Sequence, residues 1–211
     1  MLFSLLSTPM LLLPLAAAII LAFSVHEFSH AFVAYKLGDN TAQALGRLTL
    51  NPVSHVDPLG LLLLFTVGFG WGKPVPYNAN NLKNPKWGAA MIGFAGPLSN
   101  FLLGALGIIV LMLFGRFGNL PPNSLLAFFL IMLVQFNAVL MLFNLIPVPP
   151  LDGSKILFAL LPDRLDYIRD ALMTYGPLAL LGLVILDSFS NLNIFGNLFS
   201  GFFSLLNRLL F

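Results

Sequence analysis

The residues with the clearest chemistry lie in Ser24 to Phe32, SVHEFSHAF. On a helix, His26 and His30 stand at i and i+4 and share a face, with Glu27 beside them. This H-E-x-x-H spacing suits two imidazoles that bind zinc and a glutamate that acts as general base toward a zinc-bound water. The plainer reading is a set of polar groups satisfied by neighbouring helices. Ionisable residues inside an apolar span are costly and usually functional, which favours the metal site.

A catalytic zinc normally takes three protein ligands and keeps one position open. Glu27 is the single glutamate and there is no cysteine, so the third ligand must come from elsewhere. The candidates are His55 and the aspartates Asp39, Asp57, Asp152, Asp163, Asp166, Asp170 and Asp187. An extended metzincin pattern fails, because Val33 and Lys36 stand where Gly and His are needed.

Asp152, in NLIPVPPLDGSKIL, is the favoured candidate. Pro147, Pro149 and Pro150 cannot continue a regular helix, and Gly153 permits a tight turn that points the carboxylate back into the bundle. Two neutral imidazoles, one carboxylate and a hydroxide bring a zinc ion to zero net charge, which suits a low-dielectric site. A turn or capping role for Asp152 stays open on the residues alone. His55, in NPVSHVDPLG, reads as a third ligand, an outer-shell partner or a histidine bonded within a Pro-bounded turn. Asn100, Asn137 and Asn144 are polar positions in apolar spans, and read equally as substrate contacts or as interhelical bonds.

These residues need a scaffold, and the composition names its class. Of 211 residues 58% are hydrophobic and 9% charged, against about 25% charged in an ordinary soluble domain. The sequence is that of an all-α polytopic membrane protein. Uncharged stretches place three core spans at about residues 10–35, 88–114 and 124–146, with further C-terminal membrane helices at about 170–188 and 193–210. Leu59 to Gly72 is too short for a span, and the connection around it reads as a re-entrant or β-hairpin-like insertion after the first helix.

Residues 1–211 form one membrane-embedded domain, with no internal repeat and no dense basic patch that would suit nucleic acid. The first eight residues lack Lys and Arg, which argues against a secretory signal peptide. Nothing in the sequence sets an oligomeric state. Lys36, Arg47, Lys73, Lys83 and Lys86 fall in one connection and Lys155, Arg164 and Arg169 after the third span, whereas Arg116 stands alone on the other side. The positive-inside rule then puts the N-terminus outside and HEFSH near the cytoplasmic side.

Taken together, HEFSH, GFAGPLSN at 93–100 and NLIPVPPLDG at 144–153 resemble the site-2 protease family of intramembrane zinc metalloproteases. NPVSHVDPLG and GWGKPVP look like its compact members, without a PDZ insertion or a regulatory module. The resemblance implies one zinc ion held by His26, His30 and Asp152, with Glu27 as the catalytic base. It further implies Asn144 near the substrate or oxyanion, the insertion as a substrate guide, and transmembrane proteins as substrates in a lipid bilayer, the plasma membrane of a prokaryote. A divalent-metal transporter or other metal-binding membrane protein is the rival reading. It explains the buried ligands but gives Glu27 no distinctive task.

Overall fold

The computed structural model describes residues 8–67, 70–118, 121, 124–190 and 192–210. Helix α1, Leu12–Lys36, carries HEFSH. Pro14 lies in its first turn, where backbone N–H groups have no intrahelical partner to lose. Ala18, Ala22, Ala31 and Ala34 are wholly buried along α1, and such small side chains let neighbouring helix backbones come close.

The connection that follows holds α2, Thr41–Ala44, and α3, Pro58–Val67. Next come α4, Pro85–Phe117, and α5, Leu125–Asn144. The Asn84 side chain caps α4 by accepting the Trp87 N–H, and Ser124 caps α5 by accepting that of Ala127. Three C-terminal helices complete the chain: α6, Asp152–Leu160, α7, Asp166–Phe189, and α8, Ile194–Leu210.

Helix α4 packs on α1, α5 and α6, while α1 also packs on α5. Leu15 and Ile19 of α1 meet Met132 and Leu133 of α5 in the core. The outer side of α4 is equally apolar. Phe94, Phe101, Leu102, Leu106 and Ile109 are 46 to 59% exposed, an apolar surface that water does not favour and lipid does. Among the described residues, four helical segments are long and apolar enough to cross a membrane: Pro9–Lys36, Pro85–Phe117, Leu125–Asn144 and Asp163–Asp187. The chain is an integral membrane protein. Helix α8 has 17 residues, at the short end of the roughly 17–25 that span a bilayer. It lays Phe202, Phe203 and Leu206 against Val134 and Ala138 of α5.

The insertion differs from a β-hairpin. Among the described residues there is no strand; Pro58–Val67 is helical and residues 70–78 run without regular structure, while 68 and 69 lie outside the described residues. The physical reasons are local. Pro58 opens α3 at a position where its missing N–H costs nothing, Asp57 accepts the Gly60 N–H at 2.9 Å, and the leucines that follow are good helix formers. Pro74 and Pro76 cannot donate to a strand ladder. The residues from Ala44 to Leu50, also strand-like in sequence, turn instead at Gly46, which has φ of +67°.

Candidate active site

Helix α1 presents His26, Glu27 and His30 into the interior, where they are 3, 7 and 6% exposed. Helix α6 brings Asp152, its first residue, to the same place. The two Nε2 atoms are 3.0 Å apart, and Asp152 Oδ2 is 3.2 Å from that of His26 and 3.1 Å from that of His30. Two atoms that each bind a tetrahedral zinc at about 2.0–2.1 Å lie about 3.3 Å from one another. The triangle is therefore of the size a single ion requires.

The far sides of both rings fix which nitrogens can bind it. His26 Nδ1 donates to Asn100 Oδ1 at 2.6 Å, and His30 Nδ1 donates to the Ile92 carbonyl at 2.6 Å. With each Nδ1 proton committed, a neutral ring turns a lone pair on Nε2 toward Asp152. Three lone-pair atoms thus converge on one point, an arrangement that a cation between them stabilises. Glu27 adjoins them: its carboxylate and the two imidazoles offer atoms within 4.8 Å of one another.

Two departures from ordinary helix surface make room for this cluster. A Cβ on Gly96 of α4 would lie 2.5 Å from Cε1 of both His26 and His30, so only glycine lets that helix pass so close. Gly153, expected to form a turn, instead lies in the first turn of α6, where a Cβ would collide with the Leu145 carbonyl. It allows close approach, and the chain reverses before it, between Leu145 and Leu151.

Comparisons with known proteins give the family. The Peptidase family M50 model matches residues 118–183, which include Asp152. YwhC of Bacillus subtilis, a candidate zinc metalloprotease by its name, is 40% identical over 184 residues, 84% of this chain and 83% of the relative. The chain belongs to peptidase family M50. Zinc metalloprotease MJ0392 of Methanocaldococcus jannaschii is 30% identical over 145 residues, 69% of this chain and 33% of the relative. No solved structure matches the chain. The M50 segment covers the third-span and LDG region.

Within this M50 chain, the asparagines divide. Asn100 and Asn137, read from sequence as possible substrate contacts, are completely buried behind the histidines. Asn100 Nδ2 donates to Asn137 Oδ1 at 2.8 Å and to the Ala22 carbonyl at 3.2 Å, and Asn137 Nδ2 donates to the Leu133 carbonyl at 2.7 Å. This network ties His26 to Asn100 and commits both amides to bonds within the bundle. Asn144, the last residue of α5, is half-buried and donates to its own helix at the Leu140 carbonyl, 3.0 Å away.

His55 is placed outside the ligand triangle. Fully buried, it bonds through Nε2 to the Thr49 carbonyl at 2.7 Å, while its own carbonyl accepts the Lys73 N–H at 2.9 Å. It joins the 49–55 turn to residue 73. Asp57 caps α3, as described above.

Two contacts escape a reading of side-chain patterns. Val75 N–H donates to Glu27 Oε2 at 3.0 Å, and Lys155 Nζ donates to Asp152 Oδ1 at 2.8 Å. A backbone donor leaves no mark on residue identity, though prolines on both sides make Val75 the lone N–H of its run. Lys155 is at i+3 from Asp152, a spacing at which helical side chains meet.

Proposed function

We propose that this chain is a zinc metalloprotease that hydrolyses a peptide bond in or beside a transmembrane segment of another membrane protein. The observation that carries the reading is the convergence of His26 Nε2, His30 Nε2 and Asp152 Oδ2 within 3.2 Å, with Glu27 adjoining. In this reading the three residues hold one zinc ion and Glu27 is the general base.

A bound zinc supplies Lewis acidity, which polarises the scissile carbonyl and lowers the pKa of water toward about 7. Glu27 accepts a proton from the attacking water. Its Oε2 is engaged by the Val75 N–H, so the other carboxylate oxygen takes that proton and later delivers it to the departing amine nitrogen. The water oxygen joins the carbonyl carbon as the C–N bond breaks. Asn100 and the Ile92 carbonyl hold the imidazoles in the tautomer with Nε2 lone pairs inward throughout.

The surroundings support this substrate class. A cavity of ≈ 420 Å³ lies between α1, α3, α5, α7 and α8, bordered by Phe23, Trp71, Phe143, Phe199 and Phe203. The histidines do not line it; Phe23 joins it to the site, its ring 6.2 Å from that of His26. An apolar peptide segment suits such walls. A helical substrate hides its carbonyls in hydrogen bonds and must unwind locally to be cut, and the irregular backbone at 70–78 lies beside both cavity and base. The loop charges put the site toward the cytoplasmic side.

The test uses the full chain in lipid vesicles with a membrane-spanning test protein. Cleavage is mapped by mass spectrometry, before and after chelation and zinc return. Zinc-dependent cuts within or beside the apolar segment are expected. Zinc passing into the vesicle lumen without any cleavage would favour a transporter and contradict the proposal.

A further inference from the structure

We propose that Lys155 is a positioning residue for the metal centre, holding Asp152 Oδ1 so that Oδ2 alone faces the two imidazoles. The inference rests on the metalloprotease reading above and assigns to that site a residue outside the ligand set. A carboxylate can bind an ion through one oxygen or both. Were both Asp152 oxygens to bind, the second would occupy the position that a catalytic zinc leaves open.

The geometry separates the two oxygens. Asp152 Oδ2 stands 3.1 and 3.2 Å from the Nε2 atoms, whereas Oδ1 accepts the Lys155 ammonium at 2.8 Å. The carboxylate is nearly buried, with 7% of its side chain exposed, and Lys155 retains 27%. The ammonium is itself held: it stands 5.7 Å from the centroid of the Tyr77 ring, within cation–π range. Its stem lies along α4 at Gly93, where a Cβ would come within 3.0 Å of Lys155 Cδ. Tyr77 packs in turn against the cluster of Ala34, Leu82 and Ile92, and the Ile92 carbonyl accepts from His30. Lys155 therefore links Asp152 to the segment that also supplies the Val75 N–H to Glu27.

Lys155→Met keeps the length and packing of the stem and removes the charge, whereas Lys155→Arg restores a cationic donor. Zinc affinity is measured by competition with a chromophoric chelator. Coordination is read from the visible absorption of the cobalt(II)-substituted protein, which is intense for four ligands and weaker for five. Outer-shell partners typically govern metal affinity by about 10- to 100-fold. Lys155→Met is expected to lose at least about tenfold in zinc affinity and to show the weaker cobalt spectrum, with Lys155→Arg returning toward wild type. Should Lys155→Met fail to fold, Lys155→Gln is read in the same way. A Met or Gln variant that binds zinc as wild type does, with the wild-type cobalt spectrum, overturns this inference alone. Wild-type protein that binds neither ion overturns the metal reading, and this inference with it.

Discussion

Between Pro74 and Pro76 the backbone offers one N–H, that of Val75, and it is donated to Glu27. Hydrogen bonds to charged groups are worth about 1.5–3 kcal/mol, and about 1.4 kcal/mol is tenfold in rate. Val75→Pro removes the donor and is expected to lower kcat about tenfold or more with zinc content unchanged. Val75→Ala keeps the donor and should stay near wild type, and equal turnover in the two variants would rule out the contact. Behind the site, Asn100→Ala deprives His26 Nδ1 of its acceptor. Zinc affinity, read by chelator competition, should fall about 10- to 100-fold, and unchanged affinity would show that the network does not orient the ring. HEFSH and LDG were legible because helical spacing and an uncharged background isolate them. The partner of Asn100 was not, because a buried amide looks the same in sequence whether it meets substrate or a neighbouring histidine.

At the scale of elements, Asp39 ties the end of α1 to the segment that returns over the site. It accepts from the Thr41 N–H and hydroxyl at 3.1 and 2.5 Å, from Asn78 N–H at 2.8 Å and from Asn81 Nδ2 at 2.7 Å. Burial would raise its carboxyl, but the Thr41 hydroxyl, the Asn81 amide and the two backbone donors outweigh it and hold it below the ordinary value of 3.8. A depressed folded value means that the stabilisation is complete above the unfolded value and is lost as pH falls through the lower folded one. The Tm advantage of wild type over Asp39→Asn should therefore be larger at about pH 7 than at about pH 3. An advantage that does not change with pH would remove Asp39 as a charged clasp. Helices α1, α4 and α5 were readable from long uncharged runs. The insertion was not, since a short apolar run such as Leu59–Leu64 fits strand or helix equally until its flanking cap and prolines are weighed.

For the whole molecule, the sequence separates His30 from Asp152 by 122 positions (152 minus 30), and the packing of α4 between α1 and α6 closes that distance. Membership of the M50 family and the apolar helices support a zinc metalloprotease that is an integral membrane protein; the triangle of His26, His30 and Asp152 is where the proposed metal would sit. At this scale the sequence read two further membrane helices at the C-terminus, and helices lie at both places. There α7 is long and apolar enough to span, and α8 lies against α5, a packing choice that composition does not encode. The central claim is that Glu27 moves protons and does not hold the metal. Its most direct test is zinc stoichiometry together with cleavage of a membrane-spanning substrate, measured on purified wild type and Glu27→Gln. Equal zinc in both, with cleavage reduced in Glu27→Gln by at least the roughly 10²- to 10⁴-fold typical of a lost general base, is the predicted result. Glu27→Gln that still cleaves at the wild-type rate, or that loses its zinc, would contradict the account.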